Sequence, residues 1–185
     1  SFSPPPLGAL FTLESLYAVG NPHLKPEKAT ALGGDIGYAV TLDWVDIDLS
    51  AAAFLRRTEG LIVWKRNWQN KFYPQNLQNT RCRGVEGKFR CDLKILPVKI
   101  EGGYIINDHR LDMQGDINDG NRVPYSPLHS GYGDISGYWK SWNCHLKLHG
   151  AGRRFSTESN TDPISTAGMS LDPYLVWDLA LVYTR

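Results

Sequence analysis

Apolar and polar side chains alternate along several stretches of this chain. Near the C-terminus, Leu175, Trp177, Leu179, Leu181 and Tyr183 interleave with Val176, Asp178, Ala180, Val182 and Thr184. Successive side chains of a strand point to opposite faces, so the first set makes one continuous apolar face. The same rhythm recurs at Leu32, Gly34, Ile36, Tyr38, Val40 and Leu42. It recurs again at Trp142, Cys144, Leu146 and Leu148, where His145, Lys147 and His149 take the other face. A sheet of such strands has one side suited to hydrocarbon and one suited to water. That is the pattern of a membrane barrel wall, and a soluble sandwich of two sheets shares it.

Pattern and turn residues together predict seven strands, at about 29–42, 47–62, 79–92, 98–111, 126–140, 144–155 and after Pro173. One short helix is expected around Leu10–Leu16. The connections at 43–46, 93–97 and 141–143 are short, whereas 1–28, 63–78, 112–125 and 156–173 are long. Outer-membrane barrels have short periplasmic turns and longer extracellular loops, and this alternation fits them. A sandwich has no reason to keep it.

Composition agrees with a β fold. The chain holds 18 Gly, 11 Pro, 6 Trp, 9 Tyr and 6 Phe. No run approaches the ~20 consecutive apolar residues of a spanning helix, a limit that leaves barrels untouched because their strands need only about 9–11 alternating residues. Mean hydropathy of −0.34 is compatible with a barrel, since half the side chains of its strands face a polar lumen. A net charge of +1, with interspersed signs, gives no electrostatic case for nucleic acid. The opening Ser1-Phe2-Ser3-Pro4-Pro5-Pro6, without an initiating Met or signal peptide, reads as an internal segment.

Cys82 and Cys91 fall on one extended run, so they stand roughly 30 Å apart, beyond disulfide reach. Neither the cysteines nor the histidines show zinc-ligand spacing, and Lys147 between His145 and His149 would repel a cation. No nucleophile elbow or phosphate-cradling loop is present. No catalysis and no cofactor are expected.

Four motifs carry a resemblance. The segment Gly20-Asn21-Pro22-His23-Leu24-Lys25-Pro26-Glu27 resembles the Asn-Pro-x-Leu-Lys-Pro-Glu run of TonB-dependent outer-membrane receptors. The preceding stretch from Phe2 to Phe11 is similar to that family's Phe-x-x-Pro-x-Leu-x-Glu-Leu-Phe/Tyr stretch, with Ala9 in place of Glu. Asn79 to Glu86 looks like its Gly-Val-Glu strand. Asn121 to His129 looks like its Leu-Pro-x-x-Pro-x-His lead into a later strand, with Ser126 and Leu128 at positions that are often basic. The order of the four matches, over nearly the whole chain.

The resemblance implies an all-β fold: an antiparallel up-and-down transmembrane barrel of 22 strands with a plug inside it. Residues 1–185 would supply about seven strands of that wall, with the plug domain and the final strands lying elsewhere. It implies an outer-membrane protein of a Gram-negative bacterium. Its partners would be membrane lipid, a small nutrient (a siderophore, cobalamin, haem or an oligosaccharide), the plug, and TonB. The alternative is a soluble all-β binding module of lectin-like type.

Candidate binding residues sit in the connection 63–78. Aromatics interleaved with cations there, Arg66, Trp68, Lys71 and Tyr73, suit an anionic or aromatic ligand through cation–π and stacking contacts. Trp64 reads better as part of an interfacial aromatic belt. Glu86 faces away from Val85 and Phe89 and is the candidate lumen group for contact with a plug. Lys25 and Glu27, flanked by prolines, read as residues that fix the start of the first strand. Arg153 and Arg154 suit anionic outer-leaflet lipid.

Overall fold

A computed structural model describes residues 2–66, 71–160 and 170–184. In chain order the elements are β1 (Phe2–Ser3), α1 (Leu7–Phe11), β2 (Glu27–Thr41), β3 (Val45–Arg66), β4 (Phe72–Leu93), β5 (Val98–Leu111), β6 (His129–Trp139), β7 (Trp142–Ala151), β8 (Arg154–Phe155), β9 (Ser170–Leu171) and β10 (Tyr174–Tyr183). One sheet runs β1-β2-β3-β4-β5-β6-β7-β10, every neighbour antiparallel. β8 and β9 form a separate two-residue ribbon. Seven long strands in an up-and-down meander are the expected partial barrel.

Register decides what each face carries, because directly opposed residues share a face. Leu32 opposes Leu55, and Ile36, Ala51 and Gly87 fall in one row. Cys91, Ile100, Ile135, Leu146 and Leu179 fall in another. From the row of Gly34 to the short turns, this face holds no Asp, Glu, Lys or Arg side chain. The opposite face carries Glu101, Asp134, Lys147 and Asp178 in one row and Glu86 and Lys88 on β4.

Among the described residues nothing covers the apolar face. Leu32, Ile36, Leu179 and Leu181 are 73, 73, 54 and 61 % exposed. A sandwich would bury these side chains against a second sheet, and no such sheet is present among the described residues. Among the described residues the buried apolar side chains lie at the ends of strands, in α1 or in the first connection, as with Val45, Leu111, Ala9 and Leu24. The sheet therefore has no interior of its own on either side.

At the short-turn end the apolar face closes with aromatics. Trp139 opposes Trp142, which opposes Tyr183, and the last two rings stand 5.1 Å apart. Lys140 lies 4.8 Å over the Trp139 ring.

Boundaries depart from expectation in two places. The segment 63–78 is not a loop throughout: β3 and β4 continue pairing up to Arg66 opposite Phe72. Register shifts between Thr58 and Ile62 break the alternation, and Gly60 takes φ +68° there, the left-handed geometry of a bulge. The helix is also shorter and earlier than expected, ending at Phe11.

Candidate functional site

Long connections gather at one end of the sheet, and side-chain amides hold them in place. Asn76 on β4 is the main fastener: its Nδ2 donates to the Lys25 and Gly60 carbonyls, both at 2.8 Å, and its Oδ1 accepts from Lys25 N at 2.7 Å. Buried Asn21 donates to Pro74 O at 3.0 Å. Glu27 accepts from Ile62 N at 2.8 Å, satisfying a donor displaced by the bulge. The Asn-Pro-x-Leu-Lys-Pro-Glu segment thus secures the first connection to the β3–β4 hairpin. Glu27 fixes the start of its strand, as expected. Lys25 contributes through its backbone.

A second group of fasteners joins the loops after β5 and β7. Asn121 Nδ2 donates to Glu158 O, and Asn160 Nδ2 to Arg122 O, both at 2.9 Å. Tyr125 N donates to Phe155 O at 2.7 Å. Arg154, expected to meet anionic outer-leaflet lipid, has its guanidinium 4.9 Å over the Tyr174 ring, a contact that suits a planar, weakly hydrated cation.

The expected ligand residues distribute as follows. Arg66 ends β3 and pairs with Phe72 in the hairpin register. Trp68 lies outside the described residues. Tyr73 is half-buried on β4, opposite Lys65. Lys71 Nζ stands 2.6 Å from Glu14 Oε1, with its side chain 19 % exposed. That contact joins the first connection to the hairpin tip. The Lys71 hydrogen bond and charge hold the Glu14 carboxyl below its ordinary carboxylate value.

On the polar face, Glu86 pairs with Lys88 at 2.7 Å and is itself 23 % exposed. Arg90 contacts Asp92 at 2.8 Å and Glu101 at 3.7 Å, and Lys99 contacts Glu101 at 2.7 Å. His145 Nε2 lies 2.9 Å from Asp134 on the adjacent strand. Sequence reading missed that pair because its partners are joined only by register. No cluster of three or more metal-ligating side chains occurs among the described residues. Cys82, Cys91 and Cys144 are all free thiols.

An uncovered apolar face, an ion-paired opposite face and long loops at one end define a section of a β-barrel wall of the outer-membrane type. The chain belongs to the TonB dependent receptor-like, beta-barrel family, whose model matches residues 1–185. That is a family of transport receptors, and the resemblance of the four motifs is thereby confirmed. No curated protein sequence matches the chain significantly.

Solved structures agree on the fold. The ferric citrate transporter FecA, in unliganded form, is similar over 85 % of this chain and 24 % of its own, at 22 % identity and a TM-score of 0.65. The copper transporter OprC is similar over 99 % of this chain and 27 % of its own, at 14 % identity and a TM-score of 0.65. The ferric yersiniabactin uptake receptor FyuA from Yersinia pestis covers 86 % and 23 %, at 17 % identity and a TM-score of 0.61. The chain spans about a quarter of the length of these proteins.

Proposed function

We propose that the whole protein is an outer-membrane receptor for TonB-dependent uptake of a scarce nutrient, of which a ferric siderophore is the first candidate. This segment forms part of the barrel wall and displays the loops at the extracellular end. The plug, the remaining strands and the TonB-contacting region belong to other parts of the same protein.

One observation carries the reading: the sheet is apolar without cover on one side and charged on the other. Hydrocarbon solves that arrangement: β3 to β7 pair with neighbours on both sides, the open edges of β2 and β10 pair with further strands of the barrel, and the apolar side chains face lipid. The dimensions fit. From Leu32 to Leu42 the strand rises roughly 33 Å at ~3.3 Å per residue. A tilt of about 40° projects this to roughly 25 Å, the height of an outer-membrane apolar band. The aromatic row Trp139, Trp142 and Tyr183 then lies at the periplasmic interface.

Arg66, Trp68, Lys71 and Tyr73 remain the candidate ligand residues; of these Arg66 ends β3, Lys71 precedes β4 and Tyr73 lies among its first pairs. Lys71 serves a ligand only by leaving Glu14, so an anionic ligand has to compete with that carboxylate. Glu86, already neutralised by Lys88, is the candidate plug contact on the lumen side. Similarity to the ferric citrate transporter FecA and the ferric yersiniabactin uptake receptor FyuA supports iron as the first class to test.

The decisive experiment deletes the full-length gene in its host and measures growth on single iron sources under iron limitation. The expected result is loss of growth on one ferric siderophore. Expression of the receptor should restore it only when TonB is present. Unchanged growth on every siderophore, haem, cobalamin and oligosaccharide source, or rescue independent of TonB, overturns the proposal.

A further inference from the structure

Just beyond the apolar band, at the long-loop end of the same face, the register sets arginines directly opposite one another. Arg57 opposes Arg81, Arg81 opposes Arg110, and Arg110 bridges to Arg122. Opposed side chains of an antiparallel pair have Cβ atoms about 4.5–5.5 Å apart, and like charges so placed repel. A row of this kind needs an anion to offset it.

Internal carboxylates do so only in part. Asp108, with 15 % of its side chain exposed, accepts from Arg83 at 3.1 Å and from Arg110 at 2.8 Å. Arg57 lies 3.5 Å from Asp112 and 3.9 Å from Glu59. Lys28 opposes Glu59 on the same face. The cations outnumber these three carboxylates, and Arg57 and Arg83 keep 61 and 73 % of their side chains exposed. Asp108 and Asp112 are the less exposed of the carboxylates, with 15 and 22 % of their side chains exposed.

Below the row the surface is concave. A depression of about 690 Å³ reaches from Arg57, Arg81 and Arg83 to Leu32 and Leu55. It continues into a trough of about 820 Å³ past Gly34, Ala53, Val85 and Ile106. A further hollow of about 360 Å³ follows at Ile36, Ala51 and Gly87. Small residues in adjacent rows, Gly34 with Ala53 and Ala51 with Gly87, make this channel down the apolar face.

We propose that this is a binding site for one lipid of the surrounding outer leaflet that bears two phosphates. Its phosphates lie along the arginine row and its acyl chains in the trough. Guanidinium forks match phosphate oxygens in bidentate fashion. The row crosses three interstrand intervals, about 14 Å at ~4.8 Å each, which suits two separated phosphates better than one. The inference rests on the membrane placement of the apolar face proposed above.

The test uses the full-length receptor, purified and reconstituted in nanodiscs containing bisphosphoryl lipid A, monophosphoryl lipid A or phosphatidylglycerol. Lipid retained on extraction is read by native mass spectrometry. The Arg57→Gln/Arg81→Gln double variant should retain at least tenfold less bisphosphoryl lipid than wild type. Lys147→Gln, the loss of one cation on the polar face, should retain as much as wild type. Melting gives a second readout with a change of sign. In lipid-free detergent Arg81→Gln should melt higher, because a repulsion is relieved, and with bisphosphoryl lipid it should melt lower than wild type. Equal retention by the double variant, or a lower melting temperature of Arg81→Gln without lipid, overturns the site. Equal retention of all three lipids overturns the two-phosphate assignment, and equal stabilisation by inorganic phosphate overturns a lipid as the occupant. Failure of the membrane reading itself is separable, because wild-type protein would then not enter nanodiscs at all.

Discussion

A Cβ placed on Gly84 would stand 2.5 Å from the backbone carbonyl oxygen of Ile106 on the neighbouring strand. It would also meet the Phe54 ring at 2.5 Å. The ring can swing away, but the carbonyl belongs to the β4–β5 ladder and moves only with the strand. Gly84→Ala is expected to destabilise the receptor by about 1–3 kcal/mol, the range of overpacking. Gly87, three residues along, has nothing within 4 Å of its Cβ position. Gly87→Ala is expected to be neutral or to gain about 0.5–1 kcal/mol through reduced chain entropy. Equilibrium unfolding of the two full-length variants in lipid vesicles checks the contrast. Equal effects would show that the close approach at Gly84 does not matter.

That glycine also shows what was legible in advance. Gly84-Val85-Glu86 stood out as a family motif, yet its physical reason is the proximity of two strands, which register alone reveals. The faces of β2, β7 and β10 were readable because their apolar period of two is unbroken. The upper β3–β4 hairpin was not, because the bulge around Gly60 destroys the period. Asn76 and Glu27, which satisfy the backbone there, are 16 and 35 residues from their partners Gly60 and Ile62. The arginine row was hidden for the same reason: Arg57, Arg81 and Arg110 are unremarkable until pairing aligns them. The candidate residues were placed in a connection at 63–78; the strand pairing up to Arg66 and Phe72 and the contact of Lys71 with Glu14 were not legible.

The two faces of β10 should respond in opposite ways to charge. Leu179 lies opposite Leu146 on the apolar face, and its neighbour Asp178 lies opposite Lys147 on the polar face. In a bilayer, Leu179→Arg is expected to cost about 2–4 kcal/mol near the midplane. Asp178→Asn removes one member of a solvated charge row and is expected to cost less than about 1 kcal/mol. Urea unfolding of the reconstituted receptor measures both. A Leu179→Arg protein as stable as wild type would refute lipid contact on that face.

Asn76 holds three backbone groups on two other segments, so its removal leaves several of them without that partner. Asn76→Ala is expected to cost about 0.5–1.5 kcal/mol, the net worth of a typical hydrogen bond, because water can replace Asn76 at exposed Lys25. The loss should be local. Amide exchange at Lys25, whose N donates to Asn76 Oδ1, should speed up at least tenfold. Exchange on β7 and β10, far across the sheet, should stay unchanged. A uniform increase across the sheet would mean that Asn76 supports the global fold instead of the loop.

Acid should release the first connection through Glu14. Its carboxyl titrates below the ordinary value because Lys71 hydrogen-bonds to it and sits beside it as a cation. A lowered folded value means that the ion pair contributes fully above the unfolded glutamate pKa, near 4.3, and that the contribution fades as pH falls through the lowered value. Two backbone hydrogen bonds report on the same junction: Val19 N to Phe72 O at 3.0 Å and Phe72 N to Tyr17 O at 2.7 Å. Corrected for intrinsic exchange, protection of these amides is expected to be flat from neutral pH to about pH 5 and to fall below about pH 4. Glu14→Gln should show weaker protection throughout and no acid-dependent step, since its amide does not titrate. The same acid step in Glu14→Gln would assign the transition to another carboxylate.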